Sequence, residues 1–180
     1  MVKNLLVICL VLFGCHSTRH LYSYEPIPLD KEWQKSLDED FDGYLTHFTE
    51  LDASRDGYYL VYDPRWDAVV PSAFLFFYGR NDSVSICPFE DTCKTYEIRQ
   101  DDFPVDALDF AQPLRPYSFS QDTTMRIYGF KKTKNEKKYY LLYKLDACEG
   151  EQCSISTKIF NQFSSLVTTL YESNALNENR

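Results

Sequence analysis

The residues of this chain most able to do chemistry are six cysteines, three histidines and several groups of spaced carboxylates. Cys87 and Cys93 bracket CPFEDTC, and Cys148 and Cys153 bracket CEGEQC. Zinc knuckles use a shorter two-residue spacing, and no histidine lies near either pair. In an exported chain an even set of cysteines reads as disulfides. Four cysteines allow three connectivities. The local pairs, Cys87 with Cys93 and Cys148 with Cys153, carry the smallest loop-closure cost and are the expected ones. Hydrolysis needs a nucleophile with a base, two positioned carboxylates or a metal. The chain has no GxSxG, no HExxH and no glycine-rich phosphate loop, and His47 is its one histidine outside the first 20 residues. His47 and Glu50 stand one helical turn apart as a weak acid/base or metal pair. Asp101 with Asp102, and Asp106 with Asp109, are pairs by adjacency, as any acidic loop contains. No catalytic residue is assigned, and the chain reads more as a binding protein than an enzyme.

Asp52, Ser54 and Asp56 precede Gly57 at alternate positions, with Asp63 twelfth in the run. Oxygen ligands at that spacing, followed by a sharp turn, suit calcium, and the segment partly resembles the calcium loop of EF-hands. It departs from that pattern at Ser54 and at Asp63, which stands where a bidentate Glu is usual. The run YYLVYD after Gly57 reads as a strand rather than a second helix. A helix, an Asp/Ser/Gly turn and a strand explain the same residues without metal. Calcium is thus the one cofactor these residues suggest; otherwise none is expected.

A second resemblance lies at the N-terminus. Lys3 precedes an uncharged apolar run, Leu5 to Phe13, far shorter than the ~20 residues of a membrane-spanning helix, so the pattern is that of a secretory signal. Leu12-Phe13-Gly14-Cys15 resembles the lipobox of bacterial lipoproteins. That resemblance covers about fifteen residues and implies a signal peptide over 1–14, removed with Cys9, and lipidation of Cys15 with palmitate-type chains. His16 after the lipidated cysteine implies the outer membrane, or a periplasm-facing anchor. Cleavage after Ser17, giving a secreted protein, is the alternative. Residues 15–29 contain Pro26 and Pro28 and read as an extended tether of roughly 45 Å, in which His16 and His20 are solvated.

The remaining chain is one domain's length, 30–172, with 173–180 expected to fray. Its 14 Tyr and 13 Phe supply a real core. A net charge of −8 argues against nucleic acid or an anionic lipid surface as main partner and favours a protein with a basic face.

The elements emerge from the patterning. Asp30 caps a helix whose apolar stripe is Trp33, Leu37, Phe41, Leu45, Phe48 and Leu51, with Gly43 as a candidate break. Strands are expected over 58–63, 73–79, 83–86 and 94–99, with 73–86 a hairpin. Asn81-Asp82-Ser83 is formally a glycosylation sequon. Trp66 sits in a proline-bracketed loop as a core lid or a contact residue. Residues 101–116 form a long acidic connection holding a helical turn or two at Val105 to Phe110. A second hairpin pairs 124–130 with 139–146 across KKTKNEKK, whose five lysines read as solubility and edge protection or as a headgroup patch. The C-terminal helix carries Ile155, Ile159, Phe160, Phe163, Leu166, Val167, Leu170 and Tyr171, started by Ser154 or Ser156.

The expected fold is α+β: an antiparallel sheet of about five strands packed by an N-terminal and a C-terminal amphipathic helix. The expected function is an exported, lipid-anchored envelope protein that binds another protein, as an inhibitor, immunity or exclusion factor. Trp66, Asp101, Asp102, Lys132 and Lys134 are its candidate contacts. The alternatives are a scaffold subunit of an envelope or secretion assembly, a small-ligand or calcium-binding protein built on Asp52 to Asp63, and an envelope hydrolase.

Overall fold

The structure is a computed structural model that describes residues 24–26, 28–48, 51–52, 54–64, 72–78, 83–88, 93–98, 105–116, 125–144 and 150–178. Helix α1 (Lys31–His47) opens at Asp30, whose carboxylate accepts the Trp33 amide at 2.8 Å and so satisfies one of the orphan donors of the first turn. It runs unbroken through Gly43. Strands β2 (Gly57–Asp63), β3 (Ala73–Tyr78), β4 (Ser83–Pro88), β5 (Lys94–Glu97), β7 (Arg126–Lys132) and β8 (Lys137–Tyr143) form one antiparallel sheet in the order β5-β4-β3-β2-β7-β8. A separate two-stranded ladder joins β1 (Tyr24–Pro26) to β6 (Leu114–Pro116). A 3-10 turn (Val105–Phe110) lies between β5 and β6, and α2 (Glu151–Glu178) closes the chain.

The architecture is α+β, with six strands in the main sheet rather than about five. The edge strand β5 falls within the segment expected over 94–99 but ends at Glu97. It is nonetheless fixed to β4 by pairing of Ser83 to Ile86 with Glu97 to Lys94, and by a 2.8 Å Ser85–Thr95 hydroxyl contact. The second hairpin also differs in extent. Its strands begin and end nearer the turn, so that Lys131 and Lys132 stand opposite Lys138 and Lys137 and only residues 133–136 turn.

Helices cover both faces of the sheet. On one face α1 places Leu37 and Phe41 against Tyr59, Val61, Phe74, Phe76 and Phe130. The Phe41 ring meets Phe130 at 5.1 Å and Phe74 at 6.1 Å, edge-on, the arrangement the ring quadrupoles favour. On the other face Ile159, Phe160, Phe163 and Val167 of α2, with Val105 and Leu108 of the 3-10 turn, pack on Tyr58, Leu60, Tyr62, Leu75 and Phe77. Because β2 and β3 are covered on both sides, YYLVY and AFLFFY are apolar at every position instead of alternating.

Helix α2 begins at Glu151, three residues before Ser154, whose hydroxyl donates to the Gly150 carbonyl and does not cap the helix. It continues to Glu178, with no Gly or Pro beyond residue 150 to stop it. Tyr171, expected within its apolar stripe, is 54% exposed. Cys87 and Cys93 form a disulfide across the β4–β5 connection. Cys153 is also disulfide-bonded; Cys148, its expected partner, lies outside the described residues. Among the described residues no helix is long and apolar enough to cross a membrane.

Candidate functional site

The polar side chains that the fold draws together lie at the turn end of the β7–β8 hairpin. Antiparallel pairing puts Lys131 opposite Lys138 and Lys132 opposite Lys137, like charges in direct cross-strand contact, which disfavours the pairing. Two carboxylates offset this, one from each face. From the 3-10 turn, Asp109 reaches Lys131 at 2.9 Å and Lys138 at 3.1 Å and accepts a hydrogen bond from the Tyr140 hydroxyl. From α1, Asp38 reaches Lys137 at 2.7 Å and accepts from the Tyr139 hydroxyl at 2.8 Å. The Lys131 ammonium also lies 4.8 Å above the Tyr58 ring, while the Tyr58 hydroxyl donates to Asp106 at 3.3 Å.

These contacts set the electrostatics. Burial alone would raise the Asp109 carboxyl, but the Tyr140 hydroxyl and the Lys131 and Lys138 ammonium groups outweigh it and hold the group below the usual carboxylate range. Burial, reinforced by the carboxylate it donates to, pushes Tyr139 up to about 12 and Tyr140 higher still. Lys131 rises despite burial, through its bonds to Tyr58 and Asp109. Each shift favours the charge state that holds the cluster together. None of these shifts moves a group toward neutrality.

Phe110 follows Asp109 directly and is 72% exposed, whereas Val105 and Leu108 of the same turn are buried. The turn is fastened on its other side as well: the Gln112 amide donates to the Gln152 side chain at 3.0 Å, and the Ala111 amide to the Leu108 carbonyl.

The segment read as a calcium loop is a turn closed on itself. Asp52 accepts from the Ser54 amide at 3.0 Å and from the Ser54 hydroxyl at 2.6 Å, and these bonds lower its pKa. The Arg55 guanidinium lies 4.0 Å over the Tyr78 ring, so the turn already carries a cation. Asp56 is exposed. Asp63 stands at the far end of β2, roughly 20 Å along the strand from Gly57, where Arg126 binds it at 2.9 Å. The structure therefore does not bring Asp63 to the other three. Among the described residues no three His, Cys, Asp or Glu side chains gather as a metal ion would require.

Of the expected contact residues, Lys132 lies in β7 and Lys134 is exposed in the hairpin turn. Trp66, Asp101, Asp102 and the lipidation residue Cys15 lie outside the described residues, as do His16, His20, Glu50 and the Asn81-Asp82 part of the sequon. The His47 ring packs against Phe48 at 4.9 Å. Asp38, Asp109, Tyr139, Tyr140 and Phe110 were not among the expected site residues. Asp109 showed only as one of an adjacent carboxylate pair, and Asp38 and Tyr139 are 101 residues apart. Sequence spacing carries no signal for contacts of that range. The chain matches no protein-family model, no curated protein and no solved structure.

Proposed function

We propose that this protein is exported, lipid-anchored at Cys15 and held at the cell envelope, where it binds another protein bearing a basic face, as an inhibitor or exclusion factor. The observation that carries this reading is the distribution of charge. Of the lysine cluster that could have offered a basic or headgroup-binding patch, Lys131, Lys137 and Lys138 are bound to the protein's own carboxylates. The outer face of α1 meanwhile leaves Glu32, Glu39, Asp40 and Asp42 exposed, against Lys31 and Lys35. A chain of net charge −8 whose basic residues are partly consumed internally presents an acidic surface, which steers positively charged partners to it.

The scaffold reading shares the location and predicts retention in a large complex. The test is capture. Immobilised residues 16–180 are exposed to envelope and secreted fractions of the source cells and of cells they encounter. One stoichiometric basic protein, released by salt, supports the inhibitor reading; co-elution of a multi-protein complex supports the scaffold; nothing retained removes both. Labelling with a fatty-acid analogue, abolished by Cys15→Ser, tests the anchor separately.

A further inference from the structure

We infer that Phe110 is the anchor of the partner-binding surface, the residue that enters an apolar, uncharged pocket on the bound protein. This rests on the protein-binding reading and names the place on the molecule where binding is decided.

Three observations lead there. Of the large apolar side chains described, Phe110 and Tyr171 are the exposed ones, at 72% and 54%, while the other aromatics whose burial is described are buried or half-buried. Phe110 is also held in place by its neighbours. Asp109, one residue before it, is bound to Lys131, Lys138 and Tyr140, and the Lys138 ammonium donates to the Asp109 carbonyl as well. Val105 and Leu108 root the turn in the core, and Gln112 ties its far end to α2. An aromatic group presented on so constrained a backbone loses little conformational freedom on binding, which is the property of an interface hot spot. Among the described residues no such fastening holds Tyr171, which follows Val167, the last residue of α2 described as buried.

The third observation fixes the chemistry of the partner. Around Phe110 both ammonium groups, of Lys131 and Lys138, bind Asp109, and a second carboxylate, Asp106, accepts from the Tyr58 hydroxyl beside them, so among the described residues two positive and two negative charges balance at this corner of a chain that is acidic as a whole. Its complement is an apolar pocket without net charge. Association and dissociation are then governed by different parts of the molecule: the acidic surface sets the on-rate, and Phe110 sets the off-rate.

The test uses the full exported chain with the photoreactive residue p-benzoylphenylalanine placed in turn at 110, 134 and 171, irradiated in the source cells. The expected result is one discrete protein adduct from position 110, cross-linked at apolar residues. The purified partner should bind the Phe110→Ala protein at least ~30-fold more weakly, through a faster off-rate that added salt leaves unchanged. The exposed position makes loss of folding on substitution unexpected, and Phe110→Leu, which keeps an apolar tip, should recover most of the affinity. Adducts from 134 or 171 without 110, or an affinity within ~2-fold of wild type for Phe110→Ala, overturn the inference while leaving protein binding intact. No adduct from any position, together with no captured protein, overturns both.

Discussion

Lys131 and Lys138 face each other across β7 and β8, and one carboxylate, that of Asp109, lies within 2.9 and 3.1 Å of their two ammonium groups. A pairing that would repel is thereby converted into a clamp, and the clamp fixes the 3-10 turn that presents Phe110. Replacing Asp109 with Asn should leave two facing lysines without their counter-charge and weaken the bond from Tyr140. The groups are about a third to a half exposed, so the expected loss is modest, about 1–2 kcal/mol in urea unfolding. Tyr140→Phe combined with Asp109→Asn should cost less than the sum of the single changes, since both remove the same hydrogen bond.

The same clamp gives the acid limb of stability a predictable sign. The Asp109 carboxyl titrates below its unfolded value, so as pH falls the unfolded chain takes up the proton first. Its contribution is complete above the unfolded carboxylate pKa of ~3.9 and disappears as pH falls through the lower folded value. Urea midpoints from neutral pH down to about pH 2.5 should fall less steeply for Asp109→Asn than for wild type. At the alkaline end the sign reverses. Tyr139, raised by burial and by its bond to Asp38 to about 12, contributes stability below its unfolded value near ~10 that is lost as pH rises through about 12. Absorbance at tyrosine ionisation wavelengths should show a late class of tyrosines, diminished in Tyr139→Phe.

The Cys87–Cys93 disulfide closes a six-residue separation at the β4–β5 connection. Chain-entropy arguments give about 2 kcal/mol for a loop of this size. Reduction should therefore lower the unfolding free energy from urea titration by that amount without abolishing folding, because Cys87 remains a buried apolar residue of the α1-side core. Peptide mapping of the unreduced protein should recover a Cys87–Cys93 fragment.

Two glycines should respond oppositely to alanine. Gly43 is exposed mid-helix with open space where a Cβ would go, so Gly43→Ala should raise stability by about 0.5–1 kcal/mol. Gly129 has φ +148° in the middle of β7, and a Cβ there would run into the Tyr59 carbonyl oxygen of β2. Gly129→Ala should cost at least about 2 kcal/mol, or prevent folding. Thermal melts of the two variants separate the cases.

Local patterning made much of the fold legible. The Asp30 cap, the Phe41 and Phe163 stripes at helical spacing and the short β-rich apolar runs that became strands all depend on nearby residues alone. The extent of the second hairpin was not legible, because the lysine run looks like a turn until Asp38 and Asp109 arrive from distant parts of the chain to neutralise it. The three-layer arrangement did leave a trace: AFLFFY is apolar at every position, which a sheet open to water on one face would not tolerate. The clamp itself left none, for carboxylates in an acidic chain are too common for Asp109 to stand out. Tyr171 fits the helical stripe by spacing yet lies outside the core, although Leu170 beside it still packs against that core.

The most direct test of protein binding through an acidic surface is the kinetics of the captured partner against ionic strength, measured on immobilised residues 16–180. A saturable one-to-one complex is expected, whose on-rate falls steeply, by tenfold or more, between about 0.05 and 0.5 M salt, while its off-rate stays nearly constant. Binding that never saturates, or an on-rate indifferent to salt, would contradict it and remove the acidic surface from the mechanism.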